Sequence, residues 1–300
     1  MNSPTLEPPA HLSALFGNRT GIERGIPLSS YLNTPAVSNS MLKEFADCPL
    51  CALEYITDRG RREPTHDMIL GSAIDCLLCD PDAFNAWFYL RPDVYGDDRK
   101  KWNGNATECR KWLLDHRDKP VLSRADVAEV EACVAAIKAD PRAAELLRDA
   151  VPQLTLFWQD KRTGLQMTGR PDFTLPRAAV DLKFTNRANV NHFARTLTNM
   201  GYHRQAAIYT DGLEANGREC NTFYFIAVQG GDRPKVNVRY LKSDALELGR
   251  AHYRKMLVEL KECIERNEWP GYSGPGTEIH PIDLTNWAYN EHDENIDFDA

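Results

Sequence analysis

Apolar residues in the first half of the chain recur every three to four positions, which is the spacing of amphipathic helices. This pattern predicts helices over residues 41–56, 70–79, 82–88 and 123–149. Ser38 or Ser40 would cap the first helix, and Pro141 would start a new turn within the last. The first half of the chain is therefore expected to be mainly helical.

The pattern changes near Pro152, where short apolar runs bounded by turn residues take over. Three successive antiparallel strands are predicted over 154–159, 165–175 and 178–184. A further pair of strands is predicted over 221–229 and 235–241, and helices over 189–199, 202–215 and 243–267. This order predicts an α/β (α+β) fold, in which helices flank one central mixed sheet and the N-terminal part is helical.

The sequence contains no internal repeat and no sign of a second core, which favours one domain. We expect a partly flexible arm over 1–34, one folded domain over 35–289 and an acidic tail over 290–300. The 300 residues are 42% hydrophobic and 26% charged, as in ordinary globular proteins. Since no run approaches the ~18 apolar residues of a membrane span, and the N-terminus lacks a secretory pattern, we expect a cytoplasmic protein without a membrane partner.

The net charge of −7 is concentrated near the C-terminus. Seven of the 43 acidic residues lie in 278–300, which contains no Lys or Arg, so the rest of the chain is close to neutral. Residues 183–204 contain four cations and no acid, and 99–117 contain six cations around Trp102 and Trp112. Basic clusters with aromatic residues favour phosphate contact and base stacking, although a solvated face with two packed tryptophans explains 99–117 equally well.

The eight cysteines include two CxxC pairs, Cys48 with Cys51 and Cys76 with Cys79. Two such pairs resemble a four-thiolate zinc site. The second pair lies in an apolar helical run, where Cys is a common small core residue. We therefore expect neither zinc nor an iron–sulfur cluster, and no disulfide in a cytoplasmic chain.

The sequence Gly169–Asp172 (GRPD), followed by Asp181 and Lys183, carries the most chemical information. Two residues apart on a strand, Asp181 and Lys183 leave the same face, and pairing of the two neighbouring strands would bring Asp172 to it. Carboxylates are hard ligands suited to Mg²⁺ or Mn²⁺, and a lysine beside them can orient or deprotonate water and offset charge on a phosphate. A solvent-facing strand with a Pro-Asp turn would give the same short pattern.

Three residues on predicted helices add to this set. Gln205 and Tyr209 are four apart and share a helix face, where they could bond to the water, the phosphate or the lysine, or form a polar helix rim. Asp75 is a lone carboxylate in an apolar run. Because a buried unpaired carboxylate is costly, a metal ion, a helix cap or an arginine is its expected partner.

Taken together, the sequences GSAID (ending at Asp75), GRPD, DLK and Gln205-x-x-x-Tyr209 resemble the RecB-type branch of the PD-(D/E)XK nucleases. The resemblance is closer to the nuclease domain of exodeoxyribonuclease VIII and to phage-type exonucleases, and it extends from about Gly25 to Tyr289. It implies a restriction-endonuclease-like nuclease domain over 35–289.

The resemblance also implies a site. Two ions, Mg²⁺ or Mn²⁺, would be held by Asp75, Asp172, Asp181 and the backbone carbonyl of Leu182. The catalytic residues would be Lys183, Asp172, Asp181, Gln205 and Tyr209. Asp75 stands where exodeoxyribonuclease VIII has His, and Gln153 stands where relatives often carry Glu.

The implied activity is a metal-dependent exodeoxyribonuclease that degrades linear double-stranded DNA from 5′ to 3′ and leaves 3′ strands for recombination by annealing. The resemblance also implies that the protein works in a bacterial or phage-infected cell, that its partner is a single-strand annealing protein, and that it forms a homo-oligomer. The alternatives are a single-strand exonuclease, an endonuclease of the same superfamily, and a non-catalytic DNA-binding or assembly protein. The candidate DNA contacts are Arg187, Arg195, Arg204, Arg59, Arg61, Arg62 and Trp102.

Overall fold

The helices enclose a mixed sheet in a computed structural model of the protein, which describes residues 12–58, 63–274, 279 and 281–284. The α-helices of its first half are α1 (Leu28–Leu32), α2 (Asn39–Asp47), α3 (Pro49–Thr57), α4 (His66–Cys79), α5 (Phe84–Trp87), α6 (Thr107–Asp115), α7 (Arg124–Ala139) and α8 (Pro141–Leu147). Those of the second half are α9 (Val190–Asn199), α10 (Tyr202–Ala215) and α11 (Ser243–Arg266). Short 3₁₀ helices cover Leu12–Phe16 and Pro81–Ala83.

Local chemistry fixes where these helices begin. Ser38 caps α2 by accepting the Met41 N–H at 3.3 Å, and Ser123 forms a reciprocal capping box with Asp126 at the start of α7. The prediction of one helix over 41–56 is wrong. Cys48 is extended and Pro49 opens α3, because proline has no N–H to continue the hydrogen bonding of α2.

The strands form two larger sheets and two short pairs. They are β1 (Gly21–Glu23), β2 (Tyr89–Leu90), β3 (Val94–Tyr95), β4 (Lys100–Lys101), β5 (Val121–Leu122), β6 (Val151–Pro152), β7 (Thr155–Gln159), β8 (Gln166–Gly169), β9 (Phe173–Thr174), β10 (Ala178–Phe184), β11 (Thr222–Gln229) and β12 (Lys235–Tyr240). The central sheet has the order β12-β11-β10-β9-β6, and β1-β7-β8 is the second sheet. Among the described strands of the central sheet, β10 and β11 pair in parallel and the other neighbours pair antiparallel, so the sheet is mixed as predicted.

The predicted strand over 165–175 is wrong, because it is two strands in two sheets. β8 pairs with β7, whereas β9 pairs with β10 and β6. The break falls at Arg170–Asp172, where Pro171 has no N–H to donate to a ladder. This break separates the two sheets next to the aspartate of the GRPD sequence.

The two faces of the central sheet pack into two cores. On one face, Ala179 and Phe225 pack among residues from α2, α10 and α11. On the other, Val180 and Leu182 pack among residues from α4 and α7. Strand β10 is therefore buried on both sides, as expected for a central strand.

The described part of 1–34 packs on this fold. Leu12 and Leu15 are buried, and β1 pairs antiparallel with β7. Residues 1–11 of the predicted arm and the whole predicted tail, 290–300, lie outside the described residues. Across the described ranges, no helix combines the length and the apolar character needed to cross a bilayer.

Candidate active site

Strand β10 carries two of the predicted site residues on one face. Asp181 is buried, at 1% exposure, and its carboxylate forms an ion pair with the Lys183 ammonium. The Lys183 side chain keeps 15% of its surface exposed, and its Nζ lies 4.4 Å from the centre of the Tyr202 ring. A cation over an aromatic face is held in place by electrostatic attraction, so the lysine is fixed between a carboxylate and a ring at the edge of solvent.

Asp172 joins this face through the backbone of β10. Its Oδ2 accepts the Leu182 N–H at 2.6 Å, and Asp172 lies just before the short strand β9 begins. The carboxylate therefore takes the place of a strand partner, and the backbone bond fixes it between Asp181 and Lys183. The structure brings together the three residues that the sequence predicted to converge.

Helix α10 supplies the two polar residues predicted to share its face. Gln205 Nε2 donates to Asp181 Oδ1 at 3.3 Å and to the Tyr209 hydroxyl at 3.1 Å. Asp181 is therefore held from two sides, by Lys183 and by Gln205. The Tyr209 hydroxyl lies behind the glutamine rather than at the exposed edge, because Tyr209 is buried.

Asp75 reaches the same region from α4, which packs on the opposite face of β10. It is half-buried, and burial, together with the charge of Asp181, raises its pKa from 3.8 to about 7, with Lys183 opposing the rise. Asp75 is thus close enough to interact electrostatically with both Asp181 and Lys183.

The negative charge of the three carboxyl groups at the site is only partly neutralised by Lys183. Burial, followed by the charges of Asp181 and Asp75, raises the pKa of Asp172. Burial alone would lower the pKa of Lys183, but Asp181 and Asp172 outweigh it and raise that pKa above the ordinary lysine value. One ammonium group therefore faces three carboxyl groups that repel one another.

The donor set fits a hard divalent cation. Three carboxyl groups offer oxygen ligands, and a cation among them would relieve their repulsion. The three groups are not arranged as a complete set of metal ligands. Among the described residues, no three His, Cys, Asp or Glu side chains lie together in the spacing of a metal site. Asp181 is instead engaged by Lys183.

Sequence reasoning missed residues that support the site from behind. The Arg170 guanidinium donates to Thr155 Oγ1 and to the Ile26 carbonyl, both at 2.9 Å, and lies over the Tyr31 ring at 4.3 Å. Arg170 thereby ties the GRPD turn to β7 and to the N-terminal segment. The sequence did contain a sign of this role, because a charged residue within GRPD, between two apolar runs, needs a buried partner.

Two other supporting residues have weaker signals. Tyr202 starts α10 three positions before Gln205, a spacing that predicts a shared helix face. Gln153 adopts a left-handed φ of 47°, and its N–H donates to the Asp172 carbonyl at 2.9 Å. The resemblance to nuclease relatives marked Gln153 as a departure from Glu, but nothing in the sequence indicated this backbone contact.

The predicted DNA contacts are scattered. Arg187 and Arg195 are exposed, near the start of the segment after β10 and on α9. Trp102 is half-buried, with its ring 5.6 Å from Trp112 at a right angle and Arg91 over its face. Arg204 does not present its guanidinium to solvent.

Arg204 is 8% exposed and lies between α10 and α11, where its Nη1 contacts Met256 Sδ at 3.6 Å. Its place in a basic stretch therefore reflects packing between two helices, so the structure does not group it with the exposed cations. Arg59, Arg61 and Arg62 lie outside the described residues.

Comparison with known proteins agrees with this architecture. No curated protein matches the sequence. The fold is similar to the crystal structure of a protein from Eubacterium rectale described as a "putative exonuclease", with a TM-score of 0.58 over 87% of this chain and 97% of that one. The two sequences are 15% identical, so this likeness concerns the fold, and the expected α+β class is confirmed.

The family comparison covers the site itself. Residues 38–279 match a family described as a PDDEXK-like domain of unknown function (DUF3799), and this range includes Asp75, the β10 residues and Gln205. The resemblance to PD-(D/E)XK nucleases expected from the sequence is confirmed. Because the match spans most of its length, the chain belongs to this PDDEXK-like family.

Proposed function

We propose that the protein is a divalent-metal-dependent deoxyribonuclease that removes nucleotides from the ends of linear duplex DNA. Family membership supports the nuclease class. The observation that carries the proposal is the anchoring of Asp172 on the Leu182 N–H, beside the Asp181–Lys183 ion pair. A solvated strand face would not need a half-buried carboxylate held in this way.

Asp75, Asp172, Asp181 and the Leu182 carbonyl are the groups that would hold Mg²⁺ or Mn²⁺. Such ions, when bound, supply a nucleophilic water at neutral pH and stabilise charge on the phosphate. Asp75 and Asp172 fit this task because burial and the neighbouring carboxylate charges raise their pKa values, so that a cation would be bound in exchange for their protons.

Lys183 and Gln205 act around this centre. The Lys183 ammonium has a raised pKa and stays charged at neutral pH, so it can donate to a phosphate oxygen and offset the charge that develops there. Its position over the Tyr202 ring keeps it at the exposed edge. Gln205 fixes the orientation of Asp181, and Tyr209 in turn fixes Gln205.

The finer parts of the proposal derive from the resemblance to phage-type exonucleases. They are duplex preference, 5′ to 3′ polarity, a homo-oligomer, and 3′ strands passed to a single-strand annealing protein in recombination. Arg187 and Arg195 are exposed cations that follow β10 along the chain, and they would contact the DNA backbone. Their salt-dependent contribution should be to binding rather than to bond cleavage.

The test compares linear duplex DNA labelled at either 5′ or 3′ ends with circular duplex and linear single-stranded DNA, each with Mg²⁺, Mn²⁺ or EDTA. We expect release of mononucleotides from the 5′ ends of linear duplex, no cutting of circles, and no activity in EDTA. Cutting of circles would indicate an endonuclease, and activity on single strands alone would indicate a single-strand exonuclease. DNA binding without nucleotide release in the presence of either metal would refute the proposed nuclease activity.

Two variants connect the activity to the site. Asp172→Asn and Lys183→Met should each lower the rate by a factor on the order of 10² or more, because each removes charge at the reacting centre. Asp67→Asn, at the exposed start of α4, and Lys138→Met, at an exposed position on α7, are matched controls that should keep wild-type rates. Equal rates in Lys183→Met and Lys138→Met would exclude Lys183 from catalysis.

A further inference from the structure

Two cysteine sulfurs meet at the junction of α2 and α3, far from β10 in sequence. Cys48 Sγ lies 2.7 Å from Cys51 Sγ, and Cys48 Sγ also accepts the Cys51 N–H at 3.2 Å. A disulfide bond is about 2.05 Å long, so a shift of well under 1 Å would join the sulfurs. Both cysteines are free thiols in the structure.

The sequence C-P-L-C explains this close approach. Cys48 is the N-cap of α3 and its backbone is extended, so its side chain turns back over the first helical turn. Pro49 fixes the first helical position, and Cys51 occupies the third. Side chains at the N-cap and at the third helical position normally face each other, and here both are thiols.

The two thiols differ in access to solvent. Cys48 is 6% exposed, and burial together with the Cys51 thiol raises its pKa. Cys51 is half-buried, and its thiol donates to the Tyr272 hydroxyl at 3.5 Å. Tyr272 is itself 81% exposed, so it covers Cys51 without closing it off from solvent. A reagent would therefore meet Cys51 first.

The segment after α11 lies against this pair. The Leu50 N–H donates to the Pro270 carbonyl at 3.2 Å, which places residues 270–272 over the first turn of α3. If the Cys51 sulfur formed a new bond, the thiol would no longer donate its hydrogen bond to the Tyr272 hydroxyl.

The second CxxC pair provides an internal comparison. Cys76 and Cys79 both lie within the regular helix α4, where no extended residue turns one side chain onto the other. The Cys76 thiol donates instead to the Asp80 carbonyl at 3.5 Å. The same sequence spacing therefore gives a different arrangement of the sulfurs.

We propose that Cys48 and Cys51 form a redox-active dithiol that is oxidised by low-molecular-weight disulfides. The Cys51 thiolate attacks one sulfur of glutathione disulfide, a bond forms between them, and one glutathione thiolate leaves. Cys48 then loses its proton to solvent and attacks the Cys51 sulfur, which forms the Cys48–Cys51 disulfide and releases the second glutathione. The protein loses two electrons, and the small disulfide gains them.

The full-length protein is incubated with glutathione disulfide, alkylated with N-ethylmaleimide without denaturation, and analysed by intact mass and peptide mapping. We expect oxidised wild type to contain a Cys48–Cys51 disulfide, which removes two hydrogens and leaves neither of these sulfurs alkylated, and dithiothreitol to restore both thiols. The double variant Cys76→Ser/Cys79→Ser should oxidise as wild type does. A wild-type protein in which Cys51 remains alkylatable, or in which Cys76 and Cys79 oxidise to the same extent, would overturn the proposal.

Single variants test the order of attack. Cys48→Ser should retain a stable mixed disulfide between glutathione and Cys51, because the resolving thiol is absent. Cys51→Ser should leave Cys48 reduced, because burial shields it. An adduct on Cys48 in the second variant would refute the assignment of Cys51 as the attacking thiol.

Discussion

Replacing Asp75 with Asn should stabilise the metal-free protein at alkaline pH. The pKa of Asp75 rises from 3.8 to about 7, first because the group is buried and then because Asp181 is near. Each pKa unit corresponds to about 1.4 kcal/mol, so ionising Asp75 in the folded state costs up to about 4 kcal/mol. Asn fills the same volume but carries no charge, and it removes this cost.

The sign follows from proton linkage. Between pH 3.8 and about 7 the folded state holds a proton on Asp75 that the unfolded chain has already lost. Stability from this group is therefore fully present at low pH and falls as pH rises through this interval. We expect Asp75→Asn and wild type to be similar near pH 4, and the variant to be more stable at pH 8 by an amount approaching about 4 kcal/mol.

The measurement is the free energy of unfolding by urea, in EDTA, at a series of pH values. Asp67→Asn is the control, because Asp67 lies on the same helix but is exposed in its first turn. It should change stability by less than about 1 kcal/mol. A loss of stability in Asp75→Asn at pH 8 would show that the Asp75 carboxylate already has a compensating partner without metal, and would refute the reasoning.

Adding Mn²⁺ extends this experiment. A ligand that binds only the folded state stabilises it by about 2.7 kcal/mol at 100 times its Kd. We expect Mn²⁺ to stabilise wild type at pH 8 more than Asp75→Asn, which has lost one of the proposed ligands. Equal stabilisation of the two proteins would exclude Asp75 as a metal ligand, while burial and the charge of Asp181 would still explain its raised pKa.

Two further substitutions test packing and positioning. Gly249→Ala should cost about 1–3 kcal/mol in urea unfolding, because an added Cβ would overlap a backbone carbonyl of α10, whereas Gly104→Ala has open space and should change little. Tyr202→Leu should slow DNA hydrolysis several-fold by releasing Lys183, since a cation over a ring contributes about 0.5–2 kcal/mol. Tyr202→Phe retains the ring and should hydrolyse labelled duplex at the wild-type rate, and a Tyr202→Leu enzyme as fast as Tyr202→Phe would show that the ring does not position the lysine.

The sequence predicted those parts of the fold that depend on local periodicity. Helices α4, α7, α10 and α11 and strands β11 and β12 lie where the apolar spacing placed them. Gln205 and Tyr209 share a face of α10, as their spacing predicted, because four residues make about one helical turn. These predictions needed no knowledge of the tertiary structure.

Tertiary contacts account for the rest. Arg204 belongs to the same acid-free stretch as Arg187, yet α11 covers one and leaves the other exposed. Charge along a sequence does not reveal which side of a helix another helix will cover. Similarly, the contact between Gln153 and the Asp172 carbonyl depends on a left-handed residue that no apolar pattern marks.

The break within GRPD explains why the candidate site exists at this point of the sheet. In the antiparallel pair of β9 and β10, Phe173 stands opposite Val180, so the same register would place Asp172 opposite Asp181. Pro171 cannot donate to a ladder, so the pairing with β10 stops at the start of β9. The Leu182 N–H donates to the Asp172 carboxylate instead of to a strand partner. Inserting one residue in the turn at 175–177 would shift this register by one and turn the facing side chains to opposite sides. The length of this turn therefore sets the register that brings Asp172 and Asp181 together. The turn can change its residues and keep the two carboxylates on one side of the sheet, but it cannot change its length.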